Sequence, residues 1–414
     1  PNQHLSCNKL VRIMQELVVN QIPSITITGG EPFSRRKEVF MLLETAKKSG
    51  IHASVNTNLS LVSPEDIVKI ANEYRGVSIL FSLLSADASE HENLAGAPKG
   101  SYNRVIETAT FAIKNGIPLS LNMVLMRENL HKMENTARLA KKLSVLTFCA
   151  TKALPNTHLP DSTLLLSTEE VQWSLAELIR IEKLLDIHVD ILGCFPKCLL
   201  AGTPAYQRFS HRTCVAGSTT ITIGVDGNVR PCSHMQTSYG NILEQPLVDI
   251  WQKMRGWRED EFIPEDCRDC QVVATCRGGC RVNTLTPGLK NMDRYADKGR
   301  LVCLPQQNLT SCLSDNTKEI PTKVIMHPQT GFRNESFGAL VYRNNPLSII
   351  LLNHSIVAFL KKMAETKDEF DFAYFLEHSG AKTENEYKKV DRLFQRLVLK
   401  GFLVTPANQQ ERRW

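Results

Sequence analysis

Between residues 24 and 190, short β-branched runs alternate with amphipathic stretches. The runs SITIT (24 to 28), HASVN (52 to 56), VSILFSL (77 to 83), PLSLNMVL (118 to 125) and VLTFCA (145 to 150) have the length and composition of strands. The intervening stretches 34 to 49, 64 to 74, 101 to 115 and 129 to 143 carry helical spacing. Such βα repetition predicts a parallel sheet or barrel with helices outside, and ligands at the C-terminal ends of the strands. From about 191 to 312 the periodic runs give way to cysteine, glycine and turn residues, as expected of a segment held by metal more than by apolar area. Beyond it, strands over 337 to 343 and 347 to 352 precede helical stretches near 353 to 365, 369 to 379 and 384 to 400, a winged-helix-like α+β pattern. The chain is thus expected to be α/β in three parts, 1 to 190, 191 to 312 and 313 to 414.

Composition adds a compartment. At 414 residues, 42% hydrophobic and 22% charged, the chain can build sizeable cores, and its net charge of +6 is spread without long like-charge blocks. Nucleic acid and anionic membrane are therefore not implied as partners. No segment approaches the length of a membrane span. Ten of the twelve cysteines fall between Cys194 and Cys312, while the first 190 residues hold only Cys7 and Cys149. That clustering argues for metal ligation in a reducing cytoplasm and against a disulfide framework.

The first strand runs into "SITITGGEPFSRR", where two glycines let a ligand approach the backbone and a glutamate follows at once. The acid would repel a phosphate, and neither G-x-G-x-x-G nor GK[ST] is present, so the turn implies a cationic or zwitterionic ligand. Downstream stand Cys214, then Gly227 with four residues to Cys232, then Cys267, Cys270, Cys276 and Cys280 at C-x2-C-x5-C-x3-C, and finally Cys303. A single zinc takes four ligands, and seven cysteines exceed that; on spacing alone, zinc ribbon and iron–sulfur cluster both stay open.

This order of cysteines resembles the SPASM extension of radical S-adenosylmethionine enzymes, and "YGNILEQPLVDIWQKMRGWR" resembles its intervening segment. The resemblance implies a partial (β/α)6 radical SAM barrel, a SPASM domain and S-adenosylmethionine as cofactor. Gly29, Gly30 and Glu31 would receive the α-ammonium of the methionine moiety, an acceptor-rich site suited to a cation. "FSLLSADASEHENLAGAPKGSY" places Ser82 where the family contacts the methionine carboxylate or ribose, with Leu84 and Ser85 replacing the usual Asp-Gly and His91 in register. Asn56 and Asn122 fall at strand ends where the family has polar cofactor contacts; a strand-end cap is the alternative for each. By the family's scheme Cys267, Cys270, Cys276 and Cys303 would hold one auxiliary [4Fe-4S] cluster. Cys214, Cys232 and Cys280 would hold the other, completed by Cys198, with Cys194 the competing choice. Cys7, Cys149 and Cys312 read as free thiols. The family's catalytic C-x3-C-x2-C triplet does not occur in these 414 residues, and with Pro1 as the first residue truncation is the expectation.

Residues 325 to 404 resemble a PqqD-like leader-recognition module, which can bind an extended peptide as an added strand. The strand at 337 to 343 is the expected docking edge. Lys361, Lys362, Lys367, Lys388, Lys389 and Arg392 stand among many acids there, which is no basic DNA-reading face. The resemblance thus implies a cytoplasmic oxidoreductase that modifies a ribosomally made precursor peptide through a 5′-deoxyadenosyl radical, fed by a reducing electron donor. A zinc-ribbon and winged-helix nucleic-acid binder, or a non-catalytic peptide-binding scaffold, are the alternatives. No side chain is assigned as catalytic acid or base.

Overall fold

The computed structural model describes residues 4–155, 164–201, 203–259, 261–270, 272–285, 292–297, 321–335, 338–343, 348–399 and 401–406. The chain divides into two compact units, Pro1–Leu309 and Thr310–Trp414.

The first unit opens with α1 (Cys7–Val19) and continues through β1 (Ser24–Ile27), α2 (Arg36–Lys48), β2 (His52–Thr57), α3 (Pro64–Glu73), β3 (Ser78–Ser82), α4 (Ala88–Ala95), α5 (Ser101–Lys114), β4 (Leu119–Leu125), α6 (Met133–Leu143), β5 (Thr147–Lys152), α7 (Thr168–Leu185) and β6 (Val189–Asp190). All six strands are parallel and lie in chain order, β1 to β6. The expected α/β architecture is therefore present. Elements that went unanticipated include α4, α7 and β6, the last of which is two residues long and forms one sheet edge.

Strand alternation divides the sheet chemically. On one face stand Ser54 and Asn56, Ser78 and Ser82, Ser120 and Asn122, Cys149 and Thr151, and Asp190, aligned by register. The other face carries Val55, Ile79, Phe81, Leu121, Met123 and Phe148, all buried. Helix caps fix the crossovers: Ser63 and Asp66 form a reciprocal capping box with Pro64 at the first turn of α3, and Ser167 and Glu170 do the same for α7.

After β6 the unit is built from short pieces: α8 (Lys197–Leu200), a two-stranded ribbon of β7 (Thr222–Ile223) and β8 (Val229–Arg230), α9 (Leu247–Lys253), α10 (Arg255–Arg258), α11 (Val273–Cys276) and α12 (Arg281–Leu285). Gly227 turns the ribbon at φ +80, and a Cβ there would sit 2.6 Å from Asn241 Oδ1. Only glycine suits both demands. Trp257 packs on Phe262 with ring centroids 4.6 Å apart and donates to Tyr239 Oη at 2.8 Å. This region docks on α1, where Arg12 donates to the Leu243 carbonyl at 2.7 Å and Glu16 accepts from Leu247 N at 2.8 Å.

The second unit contains β9 (Ile325–Met326), β10 (Thr330–Glu335), β11 (Gly338–Arg343), β12 (Ser348–Asn353), α13 (His354–Thr366), α14 (Phe372–His378), α15 (Glu384–Leu399) and β13 (Leu403–Val404). Its core gathers Val341, Ile350, Leu360, Phe375, Phe394 and Phe402. The antiparallel sheet runs β10-β11-β12, with β9 and β13 paired separately. This corrects the docking expectation: the strand at 337 to 343 is central, because the unforeseen β10 occupies its free side. The sheet's edges are β10 and β12.

Candidate functional site

The TGGEP turn follows β1 and is tied to the end of β2. Glu31 Oε1 accepts from Phe33 N at 3.0 Å and from Thr57 Oγ1 at 2.7 Å, while Oε2 accepts from Asn58 N at 2.8 Å. Glu31 therefore caps the 3-10 turn Pro32–Arg35 and clamps it to the neighbouring strand end. A carboxylate offers about four acceptor positions. Three are used within the protein, which leaves one on Oε2. Gly29, at φ +151, and Gly30 are exposed, with nothing within 4 Å of where a side chain would begin. The turn thus presents uncovered backbone and one free carboxylate position, an acceptor set that fits an ammonium group.

Ser82 and Asn122 are register partners on the polar face, and Thr151 donates to Asn122 Oδ1 at 2.7 Å. Asn56 lies on the same face two strands away and makes no side-chain hydrogen bond among the described residues. His91, buried in α4, accepts from Leu84 N through Nδ1 at 3.1 Å. Burial holds its pKa below the usual value of 6.5, with the neighbouring Glu92 opposing.

The ten described cysteines form no disulfide. Seven of them fall into two neighbourhoods. Cys194 hydrogen-bonds to both Cys214 and Cys280, and Cys232 lies within electrostatic reach of the latter two. Cys194 keeps the shared proton, so its pKa is raised and that of Cys214 is lowered, with backbone N–H groups and Arg281 assisting. In the second neighbourhood Cys198 faces Cys276 and Cys267, and its pKa is raised to about 11, mainly by burial. Cys276 Sγ accepts from Lys197 N at 3.2 Å, and Cys198 Sγ from Asp297 N at 3.2 Å. Cys270 N bonds to the Cys267 carbonyl at 3.1 Å, one tight turn away. Among the described residues no three Cys, His, Asp or Glu side chains are drawn to metal-binding geometry.

The grouping departs from expectation at one pair. Cys194, not Cys198, joins Cys214, Cys232 and Cys280. The cause is local: Pro196 is extended and begins the single turn of α8, so Cys194 lies before the turn and Cys198 within it, toward α11. Cys303 and Cys312 lie outside the described residues. Sequence reasoning also missed Lys152, the last residue of β5, which is only 4% exposed and donates to the Cys194 carbonyl at 3.0 Å. A lysine at the buried parity of a strand was its only signal.

Residues 1–140 match the model of the radical SAM superfamily, and residues 214–271 match SPASM, an iron–sulfur cluster-binding domain. The chain thus carries a radical SAM domain match and a SPASM domain match. Its cofactor classes are those of the two domains, S-adenosylmethionine and iron–sulfur. Among curated relatives, an AdoMet-dependent heme synthase of Methanosarcina barkeri is 25% identical over 299 residues, covering 68% of this chain and 83% of the relative. A PqqA peptide cyclase of Ruegeria pomeroyi is 24% identical over 292 residues, covering 68% and 76%. Among solved structures, Streptococcus suis SuiB bound to its precursor peptide SuiA superposes with TM-score 0.58 at 20% identity, covering 71% of this chain and 69% of SuiB. At that identity the likeness establishes the fold. No described helix is long and apolar enough to cross a membrane.

Proposed function

We propose that the protein is a radical S-adenosylmethionine enzyme that modifies a ribosomally made precursor peptide, with two auxiliary [4Fe-4S] clusters held in its cysteine-rich region. The observation that carries this reading is the sorting of seven thiols into two neighbourhoods within the same compact unit as the parallel sheet: Cys194, Cys214, Cys232 and Cys280, and Cys198, Cys267 and Cys276. Soft all-thiolate sets suit iron–sulfur clusters, and Cys270 stands one turn from the second set.

Bound S-adenosylmethionine supplies a 5′-deoxyadenosyl radical for hydrogen abstraction; the protein supplies position. The Glu31 carboxylate, held rigid by Thr57 and two backbone N–H groups, offers its remaining acceptor position to the cofactor's ammonium beside Gly29 and Gly30. Ser82 and Asn56 stand at the ends of their strands, and Asn122, midway along β4 and so not at the strand end expected of it, is the register partner of Ser82 on the same face; the three offer donors and acceptors for the rest of the cofactor. No residue here is assigned to the catalytic cluster, because the sequence contains no C-x3-C-x2-C triplet.

The second compact unit supports a peptide substrate, since both its edge strands offer backbone for strand addition, as in PqqD-like modules. Similarity to AdoMet-dependent heme synthases favours a second reading, a tetrapyrrole substrate. Binding measurements on the anaerobically reconstituted protein separate the two. A precursor peptide encoded beside the gene should bind and an iron-free tetrapyrrole should not; the reverse result selects the second reading.

A further inference from the structure

Lys152 is a buried lysine among thiols. Its ammonium donates to the Cys194 carbonyl at 3.0 Å and lies 4.3 Å from the centre of the Phe195 ring and 5.9 Å from that of Tyr295. Gly193 makes room for it, since a Cβ there would approach Nζ to 3.2 Å. Cys280 and Asp293 lie within its electrostatic reach. Asp293 is fully buried and already committed, accepting from Cys280 N at 2.7 Å, Tyr295 N at 3.0 Å and the Asn283 amide at 3.2 Å. A buried cation needs compensation by charge and by hydrogen-bond acceptors. One carboxylate, one carbonyl and two rings supply part of it. The bond to the Cys194 carbonyl and the interaction with Cys280 set it beside the thiol set of Cys194, Cys214, Cys232 and Cys280.

We propose that Lys152 is a positioning residue for this set, fixing the main chain at Cys194 and acting as the counter-charge that favours the reduced state of a cluster bound there. The inference rests on the cluster assignment made above. Reduction adds one electron, supplied by an external low-potential reductant, and forms or breaks no bond; the cluster gains one negative charge. A fixed ammonium nearby stabilises that charge most where water is excluded.

The test compares the unsubstituted protein with Lys152→Met and Lys152→Arg after anaerobic reconstitution, by iron content and by a dithionite titration followed by absorbance and electron paramagnetic resonance. In Lys152→Met one titration wave should move to more negative potential and the other stay in place. The reduced-to-oxidised ratio of the affected cluster should fall about tenfold at fixed potential, a shift of about 59 mV for one electron. Lys152→Arg, which keeps the charge, should retain most of the original potential. If Lys152→Met instead loses the iron of one site and Lys152→Arg restores it, the positioning role is supported. Full iron with both waves unmoved in Lys152→Met overturns the proposal, as does equal loss of iron in both variants, which would mark a packing role. A protein that binds no iron–sulfur cluster before any substitution would overturn the cluster assignment as well, and so is distinguishable.

Discussion

Replacing Glu31 by glutamine separates the two tasks that its carboxylate performs. Within the protein it accepts three hydrogen bonds, from Phe33 N at 3.0 Å, Thr57 Oγ1 at 2.7 Å and Asn58 N at 2.8 Å. A glutamine can keep the first two on its carbonyl oxygen, but its amide nitrogen then meets the Asn58 N–H, donor against donor. Losing one hydrogen bond to a charged acceptor costs about 1.5 to 3 kcal/mol. The cofactor's ammonium would lose a charged partner as well, weakening its binding by about 1 to 3 kcal/mol, or roughly fivefold to more than a hundredfold. Thr57→Val provides the control. It removes one donor to Glu31 and leaves the buried Leu59 N, which bonds to Thr57 Oγ1 at 3.0 Å, without a partner, at a cost of about 1 to 3 kcal/mol, yet the charge at position 31 remains. Denaturant unfolding should register both variants, while calorimetry with S-adenosylmethionine should register chiefly Glu31→Gln. If Glu31→Gln loses stability and keeps full affinity, the carboxylate is only a cap for the turn Pro32–Arg35, and the ammonium assignment is wrong.

A pH profile tests His91. Its pKa is lowered by burial, so the unfolded chain binds the proton first; the stability it contributes is complete above the ordinary value of 6.5 and is lost as pH falls from there through the lowered folded value. His91→Gln should flatten that part of a stability-against-pH curve measured by urea unfolding, and an unchanged slope would remove His91 as its source. The sheet order in the second unit makes a further demand: proline scanning along the central strand, 338 to 343, should unfold the unit, whereas one of the edges, 330 to 335 or 348 to 353, should tolerate it at outward N–H positions and lose leader-peptide binding. Peptide affinity unaffected at both edges, with the fold intact, refutes strand addition. Gly338→Ala should disrupt the same unit, because φ is +146 and the new Cβ would lie 2.1 Å from the Leu352 carbonyl oxygen. A melting curve matching the parent would contradict this.

Much of the sheet was legible because its strands are β-branched and its helices strictly periodic. Five of the six strands fall within a residue or two of the runs SITIT, HASVN, VSILFSL, PLSLNMVL and VLTFCA. The sixth was not legible, since Val189 and Asp190 are too few to show a period. In the second unit, β10 reads TGFRNE, a polar run with no apolar alternation; its place is set by pairing with β11, a non-local fact. Missing it turned a central strand into a supposed edge. The TGGEP turn was legible from charge alone, but the grip of Thr57 and Asn58 on Glu31 depends on β1 and β2 being neighbours. Spacing announced the cysteine-rich region and could not divide its thiols, because the choice between Cys194 and Cys198 depends on where one helical turn begins. Lys152 was hidden for a related reason: its burial comes from Phe195 and Tyr295, distant in sequence.

The central claim is that the thiols hold two iron–sulfur clusters in the sets the structure groups. Iron and sulfide analysis with absorbance spectroscopy after anaerobic reconstitution, on the parent and on Cys194→Ala and Cys198→Ala, tests it directly. The parent should carry about eight irons, two four-iron clusters. Cys194→Ala should perturb one cluster and Cys198→Ala the other, so that the double variant loses both contributions. Stoichiometric zinc without charge-transfer absorbance, or two single variants that deplete the same cluster, would contradict the account.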